Sequence, residues 1–456
     1  MQDRRIHQHD VRHGDERRNP RYNLGAPRCS KLLKLEICFR FADQDLFTIA
    51  DVSKPDAQTV IARCRELAAV SEMTGGAFRT FLSPAMKRCY QVVGQWMTCA
   101  GMRVSVDPAG NLRGVLQGTA PGERNLLMGS HLDTVRDAGA FDGILGVVMS
   151  IAITEAFKGS DLPFDLEVVG FSEEEGVRFG VPFIGSKALV GLLDAPMLNR
   201  ADVDGVTVAQ ALRNFGLNPG ALTSAALKLP PLAFLEFHIE QGPVLEAAGE
   251  PVGVVEAIAG QNRASLTFVG AANHAGATPM HLRRDALAGA AMWIAAVEKL
   301  ALANPGMVAT VGKIAASPNI ANVIAGEAAV SLDVRHPDDA ARERACRDLH
   351  AAAVKIANDR GLKLEWTNLL DQKAVRLDES LIQRLEAASP GKLPRLVSGA
   401  GHDAMILAPH IPTAMLFLRS PGGVSHSPEE NVIPQDVEVA LQIGCCFVES
   451  LGLEYK

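Results

Sequence analysis

From about Lys54 onward the chain alternates short apolar runs with longer stretches of helical periodicity. Over residues 56–69 and 84–99 the apolar positions recur three and four apart, the spacing of amphipathic helices. Residues 126–129 are a short apolar run that ends in polar residues, as a buried strand does, and residues 166–171 and 233–238 read as two further buried strands. Residues 144–157 and 185–193 read as helices between them, and the buried-strand pattern returns at 396–398 and 413–418. Strand alternating with helix predicts an α/β fold, with a mixed, mostly parallel sheet flanked by helices. Ligands in such sheets sit beyond the carboxyl ends of strands, so the polar residues just after each run are the ones to inspect.

Residues 252–368 follow another pattern. Residues 264–270 alternate apolar and polar, as a half-solvated strand does. A long helix is expected at 284–302, strands at 308–314 and 328–334, a charged, Ala-rich helix at 338–359 and a last strand at 363–366. This β-α-β-β-α-β order is that of an α+β open-faced sandwich. The simplest organisation is a discontinuous catalytic domain, 54–251 and 369–456, interrupted by an inserted domain at 252–368. No internal repeat is evident.

The bulk properties fit an enzyme of two domains. The chain has 456 residues, too many for one ordinary core, and is 47% hydrophobic and 21% charged. A net charge of −7 with no basic stripe argues against a nucleic-acid partner. No apolar run approaches the roughly 18 residues of a membrane span. The eight cysteines form no CxxC pair or regular framework, which suits reduced thiols in the cytoplasm and no structural zinc site. Residues 1–53 differ: the first part is rich in Arg, His, Asp and Asn and poor in apolar residues, and should be a disordered extension outside the enzyme proper. His7, His9 and His13 belong to that solvated tail.

Candidate chemistry clusters at the predicted strand ends. Gly-Ser-His-Leu-Asp-Thr carries His131 and Asp133, Phe-Asp-Gly carries Asp142, Ser172–Gly176 holds three consecutive glutamates, Glu236-Phe237-His238 follows the third strand, and Val424–Ser427 carries His426. Two divalent ions close together need neutral imidazoles and a bridging carboxylate, and that mixture suits Zn, Mn, Co or Ni rather than Ca or Mg. Asp133 lies on the same side of an extended segment as His131 and could take its second ring N–H. The glutamate run is the most informative feature, because adjacent carboxylates after a buried strand repel unless a cation or a proton intervenes. Each segment alone has a plain structural reading: a core histidine, a turn at Asp142-Gly143, surface acids at Glu236 and Glu240. Their joint occurrence in this order carries the inference.

The segments GSHLDT, FDG, EEEG, HIEQGPVLE, NHAGATPM and SGAGHDA resemble the ureide-hydrolysing branch of the dinuclear M20 metallopeptidase superfamily, over roughly Lys54 to the C-terminus. That branch contains allantoate amidohydrolases, N-carbamoyl-L-amino-acid hydrolases and β-ureidopropionases. The resemblance implies two divalent ions per subunit, with His131 and His426 on different ions, Asp142 bridging, and Glu175 and His238 as further ligands. Glu174 would be the general base; Glu173 is given no role. The insert would be a lid and dimerisation domain in a homodimer, with His274 reaching across to steady the oxyanion. Arg335 would clamp a substrate carboxylate, with Asn322, Gln241, Gln261 and the Gly401 backbone as further substrate contacts. The roles of His402 and Asp403 stay open.

All three activities share this ligand set. Gln261 places an amide where carbamoyl-amino-acid hydrolases tend to carry an apolar residue, and allantoate has two ureido arms to satisfy. The VRDAG stretch before Phe141 also resembles allantoate enzymes. The expected reaction is water attack on a ureido carbonyl of allantoate, releasing ammonia and carbon dioxide, as in purine nitrogen catabolism. The alternatives are a carbamoyl-amino-acid or β-ureidopropionate substrate, an M20-type peptidase, or a non-catalytic binding relative; the last has no need of Glu174.

Overall fold

The computed structural model describes residues 54–122 and 124–455; the expected disordered extension, with its histidines, lies outside the described residues. The larger sheet has nine strands. At its centre Asn125–His131 pairs in parallel with Asp165–Phe171 on one side and Ala233–Ile239 on the other, and Thr413–Leu418 continues parallel beyond Ala233–Ile239. The strands outside this block run largely antiparallel, including Leu112–Leu116 against Asp165–Phe171 and Val252–Ile258 against Thr413–Leu418. Strands Asp165–Phe171 and Ala233–Ile239 are buried throughout because helices cover both faces, which explains why apolar residues predominate in them. Helix Ile144–Ala156 is nearly all apolar and lies inside, between the sheet and outer helices such as Ala57–Ala68 and Pro434–Glu454. The outer helices start on local caps. Asp56 accepts from the Gln58 and Thr59 N–H groups, and Ser83, followed by Pro84, accepts from Met86.

The smaller domain is a five-stranded antiparallel sheet with helices Ala286–Leu302 and Asp339–Asp359 on one face. Along Glu327–His336 the residues Ala328, Val330, Leu332 and Val334 point into the core, with Trp293 filling it and donating its indole N–H to the Leu349 carbonyl. The alternate residues face the open side, an arrangement set by the two-residue period of a strand.

Three expectations need correction. Val252–Ile258 belongs to the larger sheet, while Lys363–Gln372 extends the smaller one beyond the expected end at 366, so the insert begins near Gly260 and ends near Gln372. The reason is long-range pairing: Val252–Ile258 finds Thr413–Leu418, far away in sequence. The strand expected at 308–314 is two strands, Val308–Thr310 and Ile314–Ser317, paired with opposite ends of Glu327–His336. A two-stranded ribbon, Asn273–His274 with Val323–Ile324, was not expected. No helix among the described residues is long and apolar enough to cross a membrane. The described cysteines, Cys64, Cys89, Cys99, Cys346, Cys445 and Cys446, are all free thiols.

Candidate active site

The sheet carries two histidines to one place. His131 ends its strand, His238 stands near the end of the neighbouring parallel strand, and their ring centroids are 5.7 Å apart. Asp142 comes in from the loop that opens helix Ile144–Ala156. The glycine after it is required: Gly143 has φ +68°, and a Cβ there would lie 2.4 Å from the His131 ring. Asp142 Oδ1 lies 3.7 Å from His131 Nε2 and 3.2 Å from His238 Nε2, whereas Oδ2 lies 3.2 Å from His426 Nε2. His426 Nε2 is also 3.6 Å from Glu175 Oε1. The two oxygens of one carboxylate thus face two different ligand groups, His131 with His238 and Glu175 with His426. Glu174 joins His131 and Glu175 in a third, overlapping group.

Three residues of this region, Glu173, Gln241 and His426, have positive φ without being glycine (53°, 58° and 54°). Such conformations persist where the surroundings over-determine them, and they collect at functional sites. Asp133 helps to impose the first. Its carboxylate accepts the Glu174 and Glu175 backbone N–H groups, both at 3.0 Å. The His131 ring N–H expected to go to that carboxylate is instead matched to the Asp133 backbone carbonyl, with Nδ1 at 2.9 Å. The turn after His131 brings the main chain closer to the ring than the side chain, which is needed at the glutamate loop. Glu173 turns away from the ligands, and its Oε1 accepts the Arg178 and Phe179 N–H groups. Gln241 Nε2 donates to Asp142 Oδ2 at 3.0 Å and approaches Ser425 Oγ at 3.2 Å, so its amide steadies the Asp142 carboxylate.

Burial dominates the electrostatics. It lifts the Glu174 carboxyl well above the usual range, and neighbouring Glu175, Asp403 and Asp133 add to the effect against the pull of His131. Burial and Asp142 lift Glu175 to about 7; burial and Asp133 lift Glu173 to about 8. For Asp142 burial is outweighed by the three histidines, which hold its pKa well below the usual carboxylate value. For His131 burial is outweighed by the Asp142, Glu174 and Asp133 carboxylates, and the ring is held well above its ordinary value.

These residues fit divalent cations. Asp142 Oδ1 and His238 Nε2 are buried, face each other and have no hydrogen-bond partner, an arrangement costly to leave uncompensated. Imidazole and carboxylate donors together suit Zn, Mn, Co or Ni.

The expected substrate contacts lie mainly on the inserted domain. Gln261 and Arg263 face Arg335 and Asp333 across adjacent strands, on the face turned away from the helices. Arg335 grips Asp333 through Nε and Nη2, each at 2.9 Å, and donates Nη1 to the Gly399 carbonyl of the catalytic domain. Gln261 donates to the same Asp333 at 2.7 Å. Gly401 lies on the loop after Gly399, close to the Phe183 ring. His274 and Asn322 sit together on the small exposed ribbon, where the Asn322 carbonyl accepts from Ala275 and His274 Nδ1 accepts from Gly276 and Ala277. Among the described residues no hydrogen bond or ion pair within this chain joins them to the His131–Asp142–His426 cluster.

Several residues around the site had no functional role assigned from the sequence. Glu236 is fully buried, with Ser130 and the Ala404 N–H on its two oxygens, while Glu240 caps the short helix Val244–Ala248. His402 packs edge-on against His238 with centroids 4.5 Å apart and contacts Ser398 Oγ at 2.8 Å. Asp403 is buried beside Ser186 and Glu236. Arg79 is buried, donating to the Leu132, Leu67 and Val70 carbonyls under the loop that carries Asp133. Glu430 accepts the Phe141 and Asp142 N–H groups. Acids in a Pro-Glu-Glu run read as surface residues, so no local signal marks Glu430.

Comparison with known proteins agrees with this geometry. Residues 127–450 match peptidase family M20/M25/M40. Allantoate deiminase 2 of Glycine max is 38% identical over 429 residues, covering 86% of this chain and 89% of the relative. The N-carbamoyl-L-amino acid amidohydrolase of Geobacillus stearothermophilus is 39% identical over 391 residues, covering 84% and 95%. Among solved structures, a hydantoinase/carbamoylase-family amidase from Burkholderia multivorans superposes with a TM-score of 0.82 at 33% identity, over 87% of this chain and 98% of that one.

Proposed function

The chain belongs to peptidase family M20/M25/M40, and on that premise we propose that it is a metal-dependent amidohydrolase that splits the ureido C–N bond of allantoate, releasing ammonia and carbon dioxide. The observation that carries the reading is the divided carboxylate of Asp142, with Oδ1 toward His131 and His238 and Oδ2 toward His426. His131, Asp142 and His238 would hold one divalent ion, and Asp142, Glu175 and His426 a second, Mn or Zn with Co or Ni as alternatives. Such ions supply Lewis-acid polarisation of the scissile carbonyl and a water made acidic enough to attack at neutral pH.

The chain's own residues do the rest. Glu174 is buried, and its raised pKa suits taking a proton from the attacking water and passing it to the leaving nitrogen. Arg335 is already oriented by Asp333 and Gly399, and its remaining N–H groups are free to grip a substrate carboxylate. Gln261 lies beside it and offers an amide to the polar surface of a second ureido arm, which favours allantoate. Asn322 and the Gly401 backbone are the other proposed contacts. His274, exposed on its ribbon, would serve the site of a partner subunit in a homodimer, donating to the developing oxyanion. We place the enzyme in the cytoplasm.

A second reading, hydrolysis of an N-carbamoyl-L-amino acid, is favoured by the comparable identity to that relative, and β-ureidopropionate belongs to the same chemistry. The deciding experiment measures ammonia release from allantoate beside N-carbamoyl-L-amino acids and N-carbamoyl-β-alanine, with Mn, Zn, Co or Ni restored to chelated enzyme. Fast metal-dependent release from allantoate supports the proposal. Preference for a carbamoyl-amino acid keeps the mechanism and replaces the substrate, while silence on every ureide with turnover of dipeptides would make the chain a peptidase.

A further inference from the structure

Two of the metal-type ligands, Asp142 and His426, stand on separate loops that no strand pairing holds together. Glu430 stands on the same loop as His426, four residues further on, and is buried where that loop meets the Asp142 loop. Its Oε1 accepts the backbone N–H of Phe141 at 2.7 Å and of Asp142 at 2.9 Å. Its Oε2 lies 3.3 Å from Ser425 Oγ, and the same hydroxyl lies 3.2 Å from Asp142 Oδ2. Ser425 directly precedes His426. The packing leaves no slack, because a Cβ on Gly139 would come within 2.4 Å of the Glu430 Cβ. One carboxylate of the His426 loop therefore holds the main chain at Asp142 and, through one hydroxyl, braces the turn next to His426.

We propose that Glu430 is a positioning residue that splints the Asp142 and His426 loops and so sets the affinity for the ion on the Glu175–His426 side. The inference rests on the two-ion reading above. The other side depends less on it. His131 and His238 are placed by paired strands, and Asp142 is also held by its entry into helix Ile144–Ala156 and its bond from Gln241, neither of which involves Glu430. Outer partners of metal ligands typically set about 10- to 100-fold in affinity.

The test is chelator-competition binding of Mn or Zn to the full chain, comparing wild type, Glu430→Ala, Glu430→Gln and Ser425→Ala, with thermal unfolding run on each. In Glu430→Ala one of two equivalents weakens about 10- to 100-fold and the other changes much less. Glu430→Gln restores most of the loss, since its side-chain carbonyl still accepts both N–H groups, and Ser425→Ala falls between. A folded Glu430→Ala that binds both equivalents as wild type does would overturn the proposal, as would equal weakening of both or a Glu430→Gln as poor as the alanine variant. If Glu430→Ala does not fold, unchanged affinity in Ser425→Ala overturns it in its place. Wild type that takes up fewer than two equivalents would instead break the two-ion reading, and this proposal with it.

Discussion

The two halves of the site are held by different means. His131 and His238 stand on neighbouring strands inside the larger sheet, and their side chains are 3% and 1% exposed. Glu175 and His426 stand on loops, and His426 is 50% exposed with a left-handed backbone. The strand half inherits its geometry from the sheet. The loop half is pinned one group at a time: Asp133 holds the Glu174 and Glu175 backbone, Gln241 and Ser425 approach Asp142 from the His426 side, and Glu430 ties the loops. The difference teaches that one ion position should be preformed and tight, and the other adjustable and weaker. Functional residues on loops with strained backbone fit this division.

The comparison can be broken or sharpened in order of effect. Glu174→Gln separates chemistry from metal holding on the loop half. The expected outcome is a fall in kcat of roughly 10²- to 10⁴-fold with both metal equivalents retained by elemental analysis. Loss of metal along with activity would make Glu174 a ligand and shift the division. Arg335→Met asks whether recognition is independent of both halves. Losing a charged hydrogen-bonding partner should raise KM by roughly 10- to 100-fold and leave metal affinity unchanged; a metal-binding defect would show that the inserted domain helps to build the ion positions. Gln261→Leu should move the preference from allantoate toward N-carbamoyl-L-amino acids by about three- to tenfold in kcat/KM. An unchanged ratio would remove Gln261 from the specificity argument.

The strand half was largely legible. Predominantly apolar segments located the strands of His131 and His238, because burial on both faces removes the alternation of a half-exposed strand. Strand Arg103–Val106 is mostly exposed and has no such run, so it went unseen. The boundary of the insert was misplaced for another reason. Val252–Ile258 runs almost directly into Gly260–Val269, and only the pairing partners of each show that they belong to different sheets. In the site, residue type and order pointed to Asp142, Glu175 and His426, which the fold brings together with His131 and His238. The supports were legible only in part: Asp133 was marked as a partner of the His131 ring, but not as a holder of the glutamate loop, and Glu430 was not marked at all. Asp133 has its role through the backbone of residues 174 and 175, and Glu430 through that of residues 141 and 142, and a backbone N–H leaves no mark on the sequence.

The central claim is that two unequal ion positions act together on a ureide. It is tested most directly by titrating chelated enzyme with Mn or Zn while following ammonia release from allantoate and metal bound per chain. The account predicts that a first equivalent binds tightly with little activity and that turnover rises with a second, weaker one. Full activity at one equivalent, or two equivalents bound with no hydrolysis of any ureide, would contradict it.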